Sequence, residues 1–552
     1  MKRFHTIFIL LLLSVSVHVC ARQADTTFVP PLDVPIFFSG NFGEIRADHF
    51  HGGLDFKTEG RIGVEVRAMA KGYIERIRVT HGSGYVLHVA YDNGYTTIYR
   101  HLSAFIGDIA RRVEELQYER ENWEVDIKPR SDEYPVYAGQ VIALSGNTGY
   151  SFGPHLHLDV IEQATGESVD PLPFFRQHVR DHTPPRALGI MIFPRRGGGT
   201  VQGKSEPKAF PLRQRKPVEA WGWIGMAIRA YDYMDGVHNH YGVHTVILEV
   251  DGQELFRSTV DRFRDDENLY INSWTYGQYM KSFIDPGNHL RMLHTTANRG
   301  WVNICEERPY RFTYILSDAL GNTSRVEFTV QGRRMPISPQ SLEDVQVLRW
   351  NVPAYLSVLG MRLSIPRGRL YKDEYVRYEV DADSAGVSFT YRLAGDRSIP
   401  LHGYAELCIG LRHRPVEDST KYYIAAVSPR GKLSYVGGLY KNGAMHARVR
   451  TIASYTVRID TTPPRIIPVN PRTWGRRGRV VFSVSEKQSG LSRYRATIDG
   501  QYALMGKPNS VNGRLVCELD PKHVERGKVH VLCVEVEDRC GNLSRETYEF
   551  TW

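Results

Sequence analysis

The segment Gly146-Asn147-Thr148-Gly149-Tyr150-Ser151-Phe152-Gly153-Pro154-His155-Leu156-His157 runs from a glycine-rich loop into two histidines spaced two apart. Extended backbone alternates its side chains between faces, so His155 and His157 project from one face of a strand. The loop ahead of them sets the start of that strand at the edge of a cleft. Upstream, His51-Gly52-Gly53-Leu54-Asp55 places a histidine and a carboxylate four apart. A helix would bring those two to one face, but the glycine pair favours an irregular strand-loop conformation. Neutral imidazole and carboxylate are zinc ligands, and two histidines plus one carboxylate leave a fourth position for water, the pattern of a catalytic site. Tyr99-Arg100-His101-Leu102 supplies a further histidine. Taken singly, HxH and HxxxD are ordinary strand-face chemistry. The ordered set HxGxD, YxHL and GxxxGPHLH within one unit is specific.

Residues 34–173 read as that unit, rich in short strands. Strands are expected at Val64–Val66, Gly72–Val79, Tyr85–Tyr91 and Thr96–Tyr99, with Asp92-Asn93-Gly94 as the hairpin turn between the last two. Residues 106–134 form an insertion. Its first half, Asp108 to Asn122, is helix-friendly, with Val113 and Leu116 on one face and Pro129 ending any continuation.

The chain's 552 residues exceed one hydrophobic core, and at roughly 100–200 residues per domain three or four domains are expected. Two phrases repeat. Asp181-His182-Thr183-Pro184-Pro185 is echoed by Asp460-Thr461-Thr462-Pro463-Pro464. Ser317-Asp318-Ala319-Leu320-Gly321-Asn322-Thr323-Ser324-Arg325 is echoed by Glu537-Asp538-Arg539-Cys540-Gly541-Asn542-Leu543-Ser544-Arg545. Each pair brackets a strand-rich stretch, which predicts related Ig-like β-sandwich modules at 183–333 and 460–552, the first with an insertion around 235–300. Residues 340–455 read as a further β-rich module of unassigned type. Asp318 and Asp538 are explained by turn formation rather than calcium binding.

Residues 1–21 read as a signal peptide: Lys2 and Arg3 precede the apolar run Ile7–Val19, and cleavage falls after Ala21. Lipidation at Cys20 is the alternative. No later segment approaches 18 uninterrupted apolar residues, so no transmembrane span is expected in the mature chain. The net charge of +9 is interspersed, which suits an anionic envelope and not a nucleic-acid partner. No CxxC is present, which argues against cysteine zinc or redox motifs; export leaves a disulfide among Cys517, Cys533 and Cys540 open.

Over residues 38–173 these segments resemble the lysostaphin/LytM-type zinc metalloendopeptidases, the duplicated hybrid motif peptidases. The resemblance implies a mainly β chain that opens with a compact β-rich, barrel-like metallopeptidase domain. It implies Zn2+ held by His51, Asp55 and His157, with His101 and His155 as catalytic histidines outside the metal shell. All five are present. It further implies hydrolysis of peptidoglycan cross-links by a zinc-activated water assisted by the two histidines. The chain has no His-Glu dipeptide, which excludes an HExxH zincin and leaves no motif glutamate as base. Asp159 stands where the family often carries Glu, a departure from which little change is expected. By the same resemblance the 106–134 insertion borders the substrate groove, where it could narrow the groove, act as a lid or receive a partner. The long β-rich C-terminal region resembles the layout of family members from Bacteroidetes-like bacteria. That implies the periplasm or cell envelope of a Gram-negative bacterium, or an association with its outer membrane, and meso-diaminopimelate cross-links. The implied partners are peptidoglycan stem peptides and an envelope protein met through the β modules or the insertion.

Three rival functions stand beside this one. A non-catalytic regulator of wall amidases is disfavoured by the intact set of five. An exported protease acting on Gly-rich proteins would use the same chemistry. An adhesin would make the β modules the functional part. His238, His240 and His244, near Asp232 and Asp235, have spacing for a second metal, but Gly236, Asn239 and Gly242 favour a solvated loop. The modules themselves read as spacers or adhesion units that position the N-terminal domain.

Overall fold

The computed structural model describes residues 28–552 apart from 214–215, 340–341, 383–385, 394 and 396. The expected signal peptide and Cys20 lie outside the described residues. Strands take 50% and helices 8%, so the protein is mainly β.

The N-terminal unit is built on an antiparallel sheet. Its strands run in the order Phe38–Gly40, Gly53–Lys57, His155–Glu162, Tyr95–Leu102, Gly84–Tyr91, Gly72–Thr80, Val125–Ile127. The Asp92-Asn93-Gly94 turn, with Gly94 at φ +88°, joins two of these strands as a hairpin. A second sheet of Glu65–Arg67, Val141–Leu144 and Ala104–Phe105 shares one core with the first. Leu54, Phe56, Leu156, Leu158 and Val160 are buried in that core. Alternation therefore turns Asp55, His155, His157 and Asp159 to the opposite face. A Cβ on Gly53 would lie 2.0 Å from the Leu158 carbonyl oxygen, so the glycine is what lets these two strands approach.

In the insertion, the helix Gly107–Glu119 buries Ile109, Val113 and Leu116. It ends well before Pro129. Glu121 takes φ +46°, the Asn122 N–H returns to the Gln117 carbonyl, and Val125–Ile127 then joins the sheet edge.

Apart from Arg262–Phe263, strands between Arg186 and Gly332 form a twelve-stranded sheet; apart from Glu374–Val376, those between Ala354 and Ile459 form two five-stranded sheets; and those between Arg465 and Thr551 form two four-stranded sheets. The repeated phrases build one clasp twice. The Asp318 carboxylate accepts the N–H groups of Leu320, Gly321 and Asn322, and the Asn322 amide donates to the Asp181 carbonyl. Asp538 accepts from Cys540 and Asn542, and the Asn542 amide donates to the Asp460 carbonyl. The Ser324 and Ser544 hydroxyls bind the Pro185 and Pro464 carbonyls. Each Pro-Pro connector is thus pinned to the last hairpin of its module, and both aspartates are engaged as turn formers.

Both flanking modules touch the N-terminal unit. Arg262–Phe263 adds a strand beside Glu167–Val169. Asn41 and Gly242 exchange two hydrogen bonds, and the Asn268 side chain accepts the Phe50 N–H. At the other side the insertion packs on the last module: Tyr118 stacks on His523, Arg495 pairs with Glu121 and Lys522 with Glu114. Among the described residues all five cysteines are free, so no disulfide forms among Cys517, Cys533 and Cys540; Cys517 and Cys540 sit in separate clusters. No helix among the described residues is long and apolar enough to cross a membrane.

A small cavity beside the first module is lined by Asp170, Asp181, Asp232 and Asp318. Asp232 Oδ1 is buried there without a hydrogen-bond partner. Burial, with Asp318 and Asp181 adding, pushes Asp232 up to about 8, and burial pushes Asp170 up to about 7. Both carboxyls hold protons more tightly in the folded protein than in the unfolded chain. Their contribution is therefore full below the unfolded carboxyl pKa near 3.8, falls progressively as pH rises, and is lost once pH passes about 7 to 8. Asp232→Asn should raise the thermal midpoint by about 2–4 °C or more at pH 8.5 and leave it nearly unchanged at about pH 4. Equal shifts at both pH values in scanning calorimetry would rule this account out.

Candidate metal centre

His157 lies mid-sheet, opposite Asp55 on one neighbouring strand and Arg100 on the other. His51 precedes the Asp55 strand. His51 Nε2, His157 Nδ1 and Asp55 Oδ1 form a triangle with sides of 3.0, 3.0 and 2.9 Å. The outer atoms of all three side chains are engaged elsewhere. His51 Nδ1 donates to the Asn41 carbonyl at 2.6 Å, and His157 Nε2 donates to Asp159 Oδ1 at 2.7 Å. Asp55 Oδ2 accepts from Arg46 at 3.4 Å. These partners assign each ring proton to the outward nitrogen, so three lone pairs face one another. Alone, such a group repels itself; it is a ligand set for a cation, with the outer partners fixing tautomer and orientation. Zinc at ordinary bond lengths asks for ligand atoms roughly 3.3 Å apart, within a few tenths of an ångström of this triangle. The donor set fits.

Burial works against the Asp55 charge, but His51 and His157 outweigh it and hold the carboxyl well below the usual range. Burial would also lower His157, yet Asp159 and Asp55 hold it up at about 9, so a proton competes with a metal for the lone pair of its inner Nδ1. The carboxylates make this spot a strong attractor of positive charge, proton or metal.

The other two histidines are treated differently. His101 follows Arg100, and strict alternation would send its ring to the far face. Its φ of +61° re-aims it. That backbone costs about 1–3 kcal/mol for a side-chain-bearing residue. The ring ends 4.8 Å from that of His155 and 5.9 Å from that of His157. His101 Nδ1 donates to the Thr148 carbonyl at 2.8 Å and His155 Nδ1 to the Gly153 carbonyl at 2.8 Å. Each Nε2 therefore keeps its lone pair, that of His155 lying 3.6 Å from Asp55 Oδ1. Burial, with the neighbouring His157 and His155, drives His101 down to about 3, and burial lowers His155 as well. Both rings are neutral at pH 7 and able to accept a proton.

The structure thus brings His51, Asp55, His101, His155 and His157 together. It also gives Asp159 a role that the sequence reading did not. Asp159 is buried and bridges His157 Nε2 to Arg100 Nε, each at 2.7 Å. Burial opposes its charge, but Arg100 and His157 hold it ionised far into acid. The available signal was its spacing, two residues past a histidine on the same strand face. Nothing local signalled Asn41 or Arg46. His238 and His240 are exposed and His244 half-buried, and they form no metal-sized group among the described residues. A second acidic group, Asp460, Glu486 and Asp538, is engaged by turn N–H groups and the Ser489 hydroxyl. Asp159→Asn should weaken metal affinity about 10- to 100-fold in competition with a chelating dye. Unchanged affinity would remove the orienting role.

Residues 345–460 match the Zu5-like domain. The chain is 31% identical over 131 residues to an uncharacterized metalloprotease of Haemophilus influenzae, covering 24% of this chain and 21% of that protein. It is 31% identical over 122 residues to the DD-carboxypeptidase/endopeptidase Mpg of Neisseria meningitidis serogroup B, covering 22% of each. Among solved structures, the catalytic domain of lysostaphin from Staphylococcus simulans is 27% identical with a TM-score of 0.18, covering 25% of this chain and 89% of that one. The chain spans about a fifth of the length of these two curated relatives. Through these sequence likenesses and the histidine–aspartate cluster, the chain resembles the lysostaphin/LytM-type metalloendopeptidases.

Proposed function

We propose that this protein is an exported zinc metalloendopeptidase that hydrolyses the peptide cross-links of peptidoglycan in the cell envelope. The observation that carries the proposal is the trio of lone pairs on His51, Asp55 and His157, with two neutral histidines beside it. Those three residues would hold the metal. Bound zinc would supply a Lewis acid for the scissile carbonyl and make water a nucleophile at neutral pH. His101 and His155 present Nε2 lone pairs at the rim of the cluster, so one can take the proton of the attacking water and return it to the leaving amine. The other can orient that water and, once protonated, donate to developing negative charge. The Neisseria relative, named as a DD-carboxypeptidase/endopeptidase, supports a wall peptide as substrate.

The test is digestion of purified Gram-negative sacculi by residues 22–552 with zinc present, read as loss of cross-linked muropeptide dimers. Asp55→Ala and His157→Ala should lose both metal and digestion. His101→Ala and His155→Ala should keep one zinc and lose about 10²- to 10⁴-fold in kcat. Loss of zinc from either of the last two would overturn the division of roles. A zinc-loaded protein that cuts oligoglycine peptides but leaves sacculi intact would move the substrate to Gly-rich proteins.

A further inference from the structure

The two proton-accepting histidines owe their orientation to one loop. Thr148 supplies the carbonyl that holds His101, while Gly153 supplies the carbonyl and Ser151 the hydroxyl beside His155 Nδ1. That loop is buried at Gly149 and Ser151, where Gly149 packs on the 82–84 backbone, and exposed at its two rings. Tyr150 is 64% exposed and Phe152 79%, and glycines stand at 149 and 153. Within the N-terminal unit it is tied by the Tyr150 N–H to the Gly82 carbonyl and by the Thr148 hydroxyl to the Leu102 carbonyl.

The Thr148 N–H also reaches the His101 carbonyl and the Tyr85 N–H the Thr148 hydroxyl, and further ties come from the far end of the chain. The Gly149 N–H donates to the Pro508 carbonyl at 2.7 Å, and the Ser510 N–H donates to the Gly149 carbonyl at 2.9 Å. Asn509 Nδ2 donates to the Asn147 carbonyl at 2.8 Å and to the Ser151 carbonyl at 3.0 Å. One amide group thus staples the two ends of the loop. The same side chain's oxygen accepts the Val511 and Asn512 N–H groups, so its own turn dictates which way the amide faces. The segment is seated firmly. A Cβ on Gly506 would lie 2.0 Å from Trp123 Nε1, Tyr494 OH meets His81 Nε2 at 3.1 Å, and the Ser510 hydroxyl binds the His81 carbonyl.

We propose that the C-terminal β-sandwich completes the peptidase site, with Asn509 as a positioning residue that holds the 147–153 loop and, through it, His101 and His155. The inference rests on the peptidase reading of the metal centre. The contact is a brace rather than a plug. It engages backbone carbonyls, no hydrogen bond from residues 506–512 among the described residues reaches any of the five site side chains, and Tyr150 and Phe152 stay open to substrate.

Asn509→Asp is the informative variant, because it keeps the oxygen that caps the 509–512 turn and replaces the two donors to the loop with a charged acceptor. Asn509→Ala removes the side chain without adding charge, and Lys522→Glu tests the outlying rim of the same interface. Full-length, zinc-loaded proteins are compared on cross-linked muropeptide dimers prepared from Gram-negative sacculi. Both Asn509 variants should retain one zinc and the wild-type KM within about twofold while kcat falls about 10- to 100-fold; Lys522→Glu should leave kcat unchanged. Hydrogen–deuterium exchange at residues 147–156 should quicken in the Asn509 variants alone. Wild-type kcat with unchanged exchange overturns the proposal, and a rise in kcat also overturns it by making the module a brake. If the wild type binds zinc but cuts neither dimers nor sacculi, the peptidase reading fails on that result. The exchange comparison then decides the brace by itself, unchanged exchange overturning it.

Discussion

Three lone pairs held 2.9–3.0 Å apart on one face of an antiparallel sheet are the constraint on which the rest of the site depends. Strand register makes the arrangement. His157 faces Asp55 because Leu156, Leu158 and Val160 must enter the core, and a slip of one residue would exchange the two sets. The sheet cannot hold such a group by packing alone, since the charges and lone pairs oppose one another. Asp159, Arg100, Arg46 and the Asn41 carbonyl bind the outer atoms and fix where the inner ones point.

Those supports are drawn from distant parts of the chain. Asn41, which anchors His51, is itself held by Gly242, 201 residues away, and Asn147, beside the His101 and His155 loop, by Asn509, 362 residues away. A hydrogen bond of this kind contributes about 0.5–1.5 kcal/mol net, a small share of folding stability. Its larger effect is geometric, because catalytic groups tolerate displacements of only about half an ångström. The β modules therefore touch the candidate site on two sides, which a pure spacer would not require.

The sequence exposed what is local. HxGxD, YxHL and GxxxGPHLH each fit within a dozen residues, so the five side chains and the strand carrying His155 and His157 could be named. The Asp-Gly-Asn phrases were legible as turns because the aspartate caps its own backbone. His101 was legible as a histidine of interest but not as a residue at φ +61°, since nothing near it demands that backbone. The helix of the insertion was visible in its apolar face. Its end was visible to within three residues, since the helix-friendly half was read to Asn122 and the helix stops at Glu119, with the chain reversing at Glu121. Asn509, in Pro508-Asn509-Ser510, reads as any surface turn; its second half, the two donors, acquires meaning only when a loop from the other end of the chain lies against it.

Four histidines share this site, and His157 is set apart from His101 and His155 by what its outer nitrogen touches, while His51 donates to a neutral carbonyl and is set apart by its inner contact with Asp55. His157 donates to a buried carboxylate, which raises its affinity for positive charge; His101 and His155 donate to neutral carbonyls, and burial drives their pKa down. Two of these rings stand 5.9 Å apart with shifts in opposite directions. Oppositely shifted neighbours divide the work within one cluster: one side gathers a cation and the other remains free to accept a proton. The identity of the residues cannot produce this division, since all are imidazoles. It comes from the contacts of each ring on both sides: Asp55 lies at 3.0 and 2.9 Å from the inner nitrogens of His51 and His157 but 3.6 Å from His155, and the carboxylate at 159 and the backbone of the 147–153 loop set how the outer nitrogens are held.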